Sequence, residues 1–225
     1  VFRLPGTVFC FAPETDFPPL ALGERTGPIV FGSINNAPKL NARTLRCYAG
    51  VLAAVPQSRL SLRAPSFVDD AAIEHFRAGL RAAGADLGRV DFHPPLPLPE
   101  MMAAFDDIDI VLDSVPYCGG TTTHQALWMG VPVVTMMGEG FAARMGASFL
   151  SAAGLTDLVA TDDAGYLAVA EDLANDRARL ADLRRNLRSR LIGHEAWNVV
   201  RHTRAIEDAM FAMARGGARR DADVQ

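Results

Sequence analysis

Apolar and polar positions along the chain change period several times, and each change marks an element. After Pro28 a short apolar run, Ile29-Val30-Phe31-Gly32, reads as a strand. Asn41 to Ala54 then sets Leu45, Tyr48, Ala49 and Leu52 on one face at helical spacing. Ser58 to Leu62 reads as a second strand, and Asp70 to Ala83 as a helix with Ile73, Phe76 and Leu80 inward. Val90 to Phe92 is a third strand, followed by a short helix near Glu100 to Phe105. The run Ile108 to Leu112 predicts a buried fourth strand, Thr122 to Met129 the helix after it, and Val131 to Met136 a fifth strand. A helix over Ala142 to Ala153, a short strand at Leu158 to Ala160, and helices near Ala164 to Asn175, Arg177 to Arg190 and Glu195 to Ala214 complete the pattern.

Strands alternating with helices imply a parallel sheet covered on both faces, an α/β doubly wound, Rossmann-like domain. Ligands of such sheets sit at the carboxyl ends of the strands, near the switch point of the strand order. The alternation occupies residues 28–191. Residues 1–27 carry Pro5, Pro13, Pro18 and Pro19 among Phe9, Phe11 and Phe17, and read as an extended connecting segment packed on something, since solvated linkers are poor in Phe. A closing helix is expected over 192–215, and the polar tail 216–225 is expected to fray.

Composition narrows the class. A net charge of −4 argues against non-specific nucleic-acid binding, which needs a basic surface. Three cysteines, Cys10, Cys47 and Cys118, are far apart, odd in number and without a CxxC pair, so neither a disulfide scaffold nor a structural zinc site is expected, and a reducing cytoplasm fits. The five histidines show no HxxxH spacing, so no metal is expected, and no run of 18 apolar residues offers a membrane span. The chain begins at Val1, which leaves a fragment or processed piece as an open reading and makes the lack of a signal peptide uninformative.

The most informative stretch is the end of the fourth strand, Asp113-Ser114-Val115-Pro116-Tyr117-Cys118-Gly119-Gly120-Thr121-Thr122-Thr123. Small residues let a backbone approach a phosphate, the first N–H groups of a helix point at it, and three hydroxyls add donors. A tight turn with one threonine cap is the plainer alternative, but it explains one residue rather than five. The turn after the first strand carries Asn35, Asn36 and Lys39, which read either as a solvated loop or as amide and ammonium donors to a sugar diphosphate. Asp106, Asp107, Asp109 and Asp113 mark the approach to and the end of the fourth strand rather than a metal site. Cys118 is a loop filler rather than a reactive thiol. His124 either faces a ligand or is structural, and Arg144 either holds a loop or contributes charge. No GxGxxG follows the first strand, which places a dinucleotide oxidoreductase last.

Several segments, taken in order, carry a family resemblance. They are Phe31-Gly32-Ser33-Ile34-Asn35-Asn36 with Lys39, Asp109-Ile110 with Leu112-Asp113, and Pro116-Tyr117 with Gly119-Gly120-Thr121-Thr122-Thr123. Ala126-Leu127-Trp128-Met129-Gly130-Val131-Pro132-Val133-Val134-Thr135 and Arg144 with Gly146-Ala147-Ser148 follow. Together they resemble the O-linked N-acetylglucosamine transferase family in its bacterial and SPINDLY-like forms, from about Arg3 to Leu191. The resemblance implies the C-terminal domain of a two-Rossmann, B-type glycosyltransferase plus its closing C-terminal helices. It also implies that this half binds a UDP-sugar such as UDP-N-acetylglucosamine, with no further cofactor and no metal.

Residue by residue, the resemblance puts Asn36 where the family has a donor-site glutamine and Lys39 on the diphosphate, the latter as the one catalytic group in this chain. Gly119, Gly120, Thr121, Thr122 and Thr123 match the phosphate-binding turn. Met101 stands where the family usually has a histidine near the nucleoside, Gln125 where an acidic residue holds the ribose, and Cys118 where asparagine is common. The implied reaction is inverting, metal-independent transfer to Ser or Thr hydroxyls of a protein or peptide acceptor, held by regions upstream that also supply the base. Two alternatives remain open: a Rossmann-like module that no longer binds a donor, and a nucleotide-sugar transferase acting on a glycan or small acceptor.

Overall fold

A computed structural model describes residues 7, 9–13, 17–23, 25–192 and 194–222. Its framework is a six-stranded, all-parallel sheet in the order β3-β2-β1-β4-β5-β6, which bears out the doubly wound expectation. The strands are β1 (Val30–Ile34), β2 (Arg59–Arg63), β3 (Val90–His93), β4 (Ile110–Leu112), β5 (Val133–Met136) and β6 (Val159–Ala160). Beyond its first residue β1 is buried throughout, as are all of β4 and β5, because helices cover both faces there. In β2 buried residues alternate with half-buried ones nearer the sheet edge. The order reverses between β1 and β4, so the carboxyl ends of these two strands diverge and leave a crevice.

The helices start where side chains can take up their free amides. Asn41 caps α1 (Ala42–Ala54) by accepting from the amides of Arg43 and Thr44, Asp69 caps α2 (Asp70–Ala82), and Pro99 near its start helps to open α3 (Leu98–Ala103). Next come α4 (Thr121–Trp128), α5 (Met145–Ala152), α6 (Asp163–Asn175) capped by Asp162, α7 (Arg177–Ile192) and α8 (Val199–Ala222), whose Arg201 amide is accepted by Asn198. Packing sets α1 against α2 and α6, and α4 against α5 and α7. Among the described residues no helix is long and apolar enough to cross a membrane.

Several boundaries differ from the sequence pattern. The fourth strand begins at Ile110, not Ile108, because a 3-10 turn over Ala104–Asp107 holds the approach to it. The fifth begins after Pro132. The single helix expected over 142–153 is a 3-10 turn, Phe141–Ala143, followed by α5, and that expected from Glu195 is a 3-10 turn, Glu195–Trp197, followed by α8. The backbone of α8 stays helical to Ala222, so the expected tail at 216–225 starts as a continuation of that helix, and residues 223–225 lie outside the described residues. The described parts of segment 1–27 hold neither helix nor strand. Phe11 is buried, stacked 6.2 Å from Phe17, and its amide donates to the Ala196 carbonyl.

The turn from α4 to β5 depends on Gly130. Its φ is +72°, and a Cβ there would lie 2.6 Å from the Arg184 carbonyl oxygen on α7. We expect Gly130→Ala to destabilise the fold by about 2–3 kcal/mol, lowering the thermal midpoint by roughly 5–10 °C. Thermal unfolding followed by circular dichroism checks this, and an unchanged midpoint would show that α7 yields freely.

Candidate functional site

The crevice between β1 and β4 is closed at its floor by one acidic residue. Asp113, at the end of β4, is 1% exposed, and its carboxylate accepts hydrogen bonds from the amides of Ser114 (2.9 Å) and Gly119 (2.6 Å) and from the Thr135 hydroxyl (2.8 Å). Its own carbonyl accepts from Tyr166 Oη at 2.8 Å. Burial pushes the carboxyl pKa up, while these donors and the Lys39 charge pull it down. The aspartate thereby folds residues 114–119 into a closed loop. From the other side, Thr44 on α1 donates its hydroxyl to the Val115 carbonyl and accepts from the Val115 amide, and Asn41 Nδ2 donates to the same carbonyl.

The two adjacent glycines do different work. A Cβ at Gly119 would lie 2.5 Å from Thr123 Oγ1 and 3.3 Å from Asp113 Oδ1, so this position is closed by the protein itself. Among the described residues a Cβ at Gly120 would meet nothing within 4 Å. Gly120 also precedes α4 without supplying any side-chain cap, which leaves the first amides of that helix directed at the crevice. Opposite them, Lys39 reaches across from the β1 turn, its Nζ donating to the Cys118 carbonyl at 2.9 Å and lying 4.1 Å from the centre of the Tyr117 ring. Burial lowers the lysine pKa, and Asp113 works against that shift.

Lys39, Tyr117 and the start of α4 line a cleft of about 610 Å³, the size of a small-molecule site. Of the residues expected at a site, Asn36, Lys39, Met101, Gly120, Thr121 and Thr122 line it. Gly119, Thr123 and Gln125 do not. Gly119 gives its amide to Asp113, Thr123 is turned under the loop, and Gln125 is buried one helical turn below Thr121, about 6 Å along the axis. Asn35 also lines the cleft, largely buried, and its Oδ1 accepts from the Thr122 hydroxyl at 3.5 Å. Cys118 is a buried filler against Thr135 and Met136, its thiol pushed up to about 11 by burial. Arg144 is exposed and makes no ion pair among the described residues, so it does not hold a loop through a carboxylate. Asp109 is buried at the approach to β4, accepting from the Val30 amide and pairing with Arg25 at 2.6 Å.

Sequence reasoning missed the other wall. Arg63 lies at the carboxyl end of β2, Pro95 and Leu96 lie just after β3, and Tyr117 and Phe141 flank the mouth. The rule that ligands gather at strand ends pointed to Arg63. Phe9 and Phe11, identified only as apolar residues needing a surface, find it here.

On the α4 side of the cleft the buried titratable group is His124. Its Nδ1 sits 3.1 Å from the Gly120 carbonyl, and burial pulls its pKa down from 6.5 to about 4. A depressed native pKa means that the histidine favours the fold above pH 6.5 and that this contribution is lost as pH falls towards 4. The loss across that window is about 3 kcal/mol. Urea unfolding from pH 7 to pH 4 should therefore show a steeper decline for the wild type than for His124→Phe, and parallel declines would show that the native imidazole protonates as readily as the unfolded one.

Fold and cleft together define a Rossmann-like ligand-binding domain of the B-type glycosyltransferase architecture. Over residues 22–206 the chain matches the family model of glycosyl transferase family 41. It is 37% identical over 214 residues to a probable UDP-N-acetylglucosamine–peptide N-acetylglucosaminyltransferase SPINDLY from Hordeum vulgare, covering 94% of this chain and 23% of that protein. A solved mutant of the Thermobaculum terrenum O-GlcNAc transferase superposes with a TM-score of 0.83 at 34% identity, covering 93% of this chain and 40% of that one. Sucrose-phosphate synthase from Thermosynechococcus elongatus, at a TM-score of 0.59 and 15% identity, shares the fold. The chain belongs to glycosyl transferase family 41, as its motifs led us to expect. It spans about a quarter of the length of the curated relatives it matches.

Proposed function

We propose that this chain is the donor-binding half of an inverting, metal-independent glycosyltransferase that moves N-acetylglucosamine from UDP-N-acetylglucosamine to Ser or Thr hydroxyls of a protein acceptor. The observation that carries this reading is the pairing, across one cleft, of the Lys39 ammonium with the uncapped start of α4 at Gly120, Thr121 and Thr122. Two separate elements thus offer positive potential to one point, as a diphosphate requires. The names of its relatives supply the nucleotide and the sugar.

In the reaction so read, the acceptor oxygen forms a bond to the anomeric carbon on the face opposite the diphosphate. The bond from that carbon to the β-phosphate oxygen breaks, and the hydroxyl proton passes to a base supplied by another part of the protein. Negative charge grows on the departing UDP. Lys39 and the helix amides are in place beforehand to meet it, so they stabilise the transition state more than the ground state. The apolar side of the cleft, with Met101, Leu96 and Pro95, offers a surface to the uracil ring but no hydrogen bond from Met101.

Calorimetric titration of the intact protein with UDP and UDP-N-acetylglucosamine tests the reading. Binding in the micromolar range supports it, while no binding at millimolar ligand supports the module that no longer takes a donor. Lys39→Ala should weaken UDP by about 100-fold and slow transfer at least as much, with little change in thermal midpoint. Gly120→Val should also weaken UDP, because the added side chain meets no protein atom within Cβ reach and enters the space assigned to phosphate. If the valine variant binds UDP normally, the phosphate lies elsewhere. Chelation by EDTA should leave both affinity and rate unchanged. The 225-residue chain alone should bind UDP without turning over, and measurable transfer by it would place the base within these residues.

A further inference from the structure

His124 combines deep burial with a position on the cleft wall, and nothing in the proposed reaction uses it. The ring is 1% exposed and packs against Phe149 with centroids 4.1 Å apart, stacks on Phe11 at 5.6 Å and meets the edge of Trp197 at 5.3 Å. Among the described residues its Nε2 has no partner, so Gly120 is the only polar anchor of the ring. A carbonyl can only accept, so the proton of the neutral imidazole sits on Nδ1 and is donated to Gly120. The same carbonyl also receives the His124 amide at 3.3 Å.

The peptide unit that follows Gly120 is planar, so its C=O and the N–H of Thr121 point in opposite directions and turn as one body. A carbonyl held down along α4 therefore means a Thr121 amide held up into the cleft. Gly120 is also the least restrained point of the turn, with no side chain and open space where one would be. Its peptide unit would otherwise be free to rotate the amide away. Two hydrogen bonds on one carbonyl oppose that rotation, and three aromatic rings keep the second donor in place.

We propose that His124 is a positioning residue for the phosphate end of the donor site, fixing the Gly120 peptide so that the Thr121 amide faces the diphosphate. Two of its clamps come from opposite ends of the chain. Phe11 belongs to the N-terminal segment and Trp197 to the turn before α8, and the Phe11 amide donates to the Ala196 carbonyl at 3.0 Å. The segments flanking the Rossmann-like domain thus meet over the residue that aims the helix mouth, so their seating and donor binding are coupled.

This inference rests on the cleft being the UDP-sugar site, and the experiment separates the two. Affinities for UDP and for uridine are measured by calorimetry on the intact wild type, His124→Phe and His124→Asn. Phenylalanine keeps the ring and loses the donor, whereas the asparagine amide nitrogen stands in for Nδ1. His124→Phe should weaken UDP by about tenfold, the effect of one lost hydrogen bond, and leave uridine affinity unchanged. His124→Asn should restore most of the UDP affinity. A purely packing role would weaken uridine as much as UDP and would not be rescued by asparagine, and either result overturns the inference. Should His124→Phe fail to fold, His124→Asn is compared with His124→Gln, whose amide reaches the Nε2 position instead, and equal UDP affinities of that pair overturn it. A wild type that binds no UDP removes the donor-site reading and this inference together, whereas a wild type that binds and a phenylalanine variant indistinguishable from it remove the inference alone.

Discussion

The loop that leads into α4, on one side of the cleft, is held by the buried carboxylate of Asp113. Burying a carboxylate is costly unless its oxygens are satisfied, and here three donors from three places in the chain do so: the next residue, the far end of the loop and the neighbouring strand. Each donor fixes a different coordinate. The Gly119 amide sets where the loop closes, the Thr135 hydroxyl ties the loop to β5, and the Ser114 amide turns the chain out of β4. Tyr166 reaches the carbonyl of the same residue from α6. A Cβ at Gly146 would lie 2.7 Å from Asp113 Oδ2 and 2.3 Å from Thr135 Oγ1, so the start of α5 is also shaped around this group.

The constraint has an electrostatic side. Lys39 is drawn down into a partly buried place that disfavours its charge, and Asp113 beneath it offsets that penalty. The carboxylate in turn is made easier to bury by the lysine above it. Without an anionic ligand the pair compensates itself. With one, the lysine has donors to spare, because only one contact to a carbonyl occupies it. A chain with a net charge of −4 can in this way present a cationic point at the one place where the sheet opens.

The fold and the α4 side of the cleft were legible in the sequence for a physical reason. Strand and helix periods are local properties, and the glycine and threonine run has few other uses when it follows a buried strand. What stayed hidden was tertiary. Gln125 follows three threonines and a histidine, so adjacency alone placed it at the site, yet one turn of helix takes it beneath the mouth. Thr123 and Gly119 looked equivalent to their neighbours, but the Gly119 amide closes the loop onto Asp113 and Thr123 Oγ1 fills the space beside Gly119 where a side chain would go. Arg63 and Leu96 come from strands two and three, and only the strand order brings them opposite α4.

The division of labour between the two glycines follows from that order. Gly119 is required by atoms of this chain, since Thr123 and Asp113 fill the space its side chain would need. Among the described residues no atom makes the same demand of Gly120. On the donor-site reading proposed above, the space left open there is where a phosphate would enter. On that reading the group meets an ammonium on one side and helix amides on the other, which suits an anion better than an apolar occupant. The adjoining wall of prolines, Leu96 and Met101 demands that the same molecule carry a flat or apolar part. Under the reading proposed above, a nucleoside diphosphate suits both sides of the cleft, whereas a lone phosphate suits only the first.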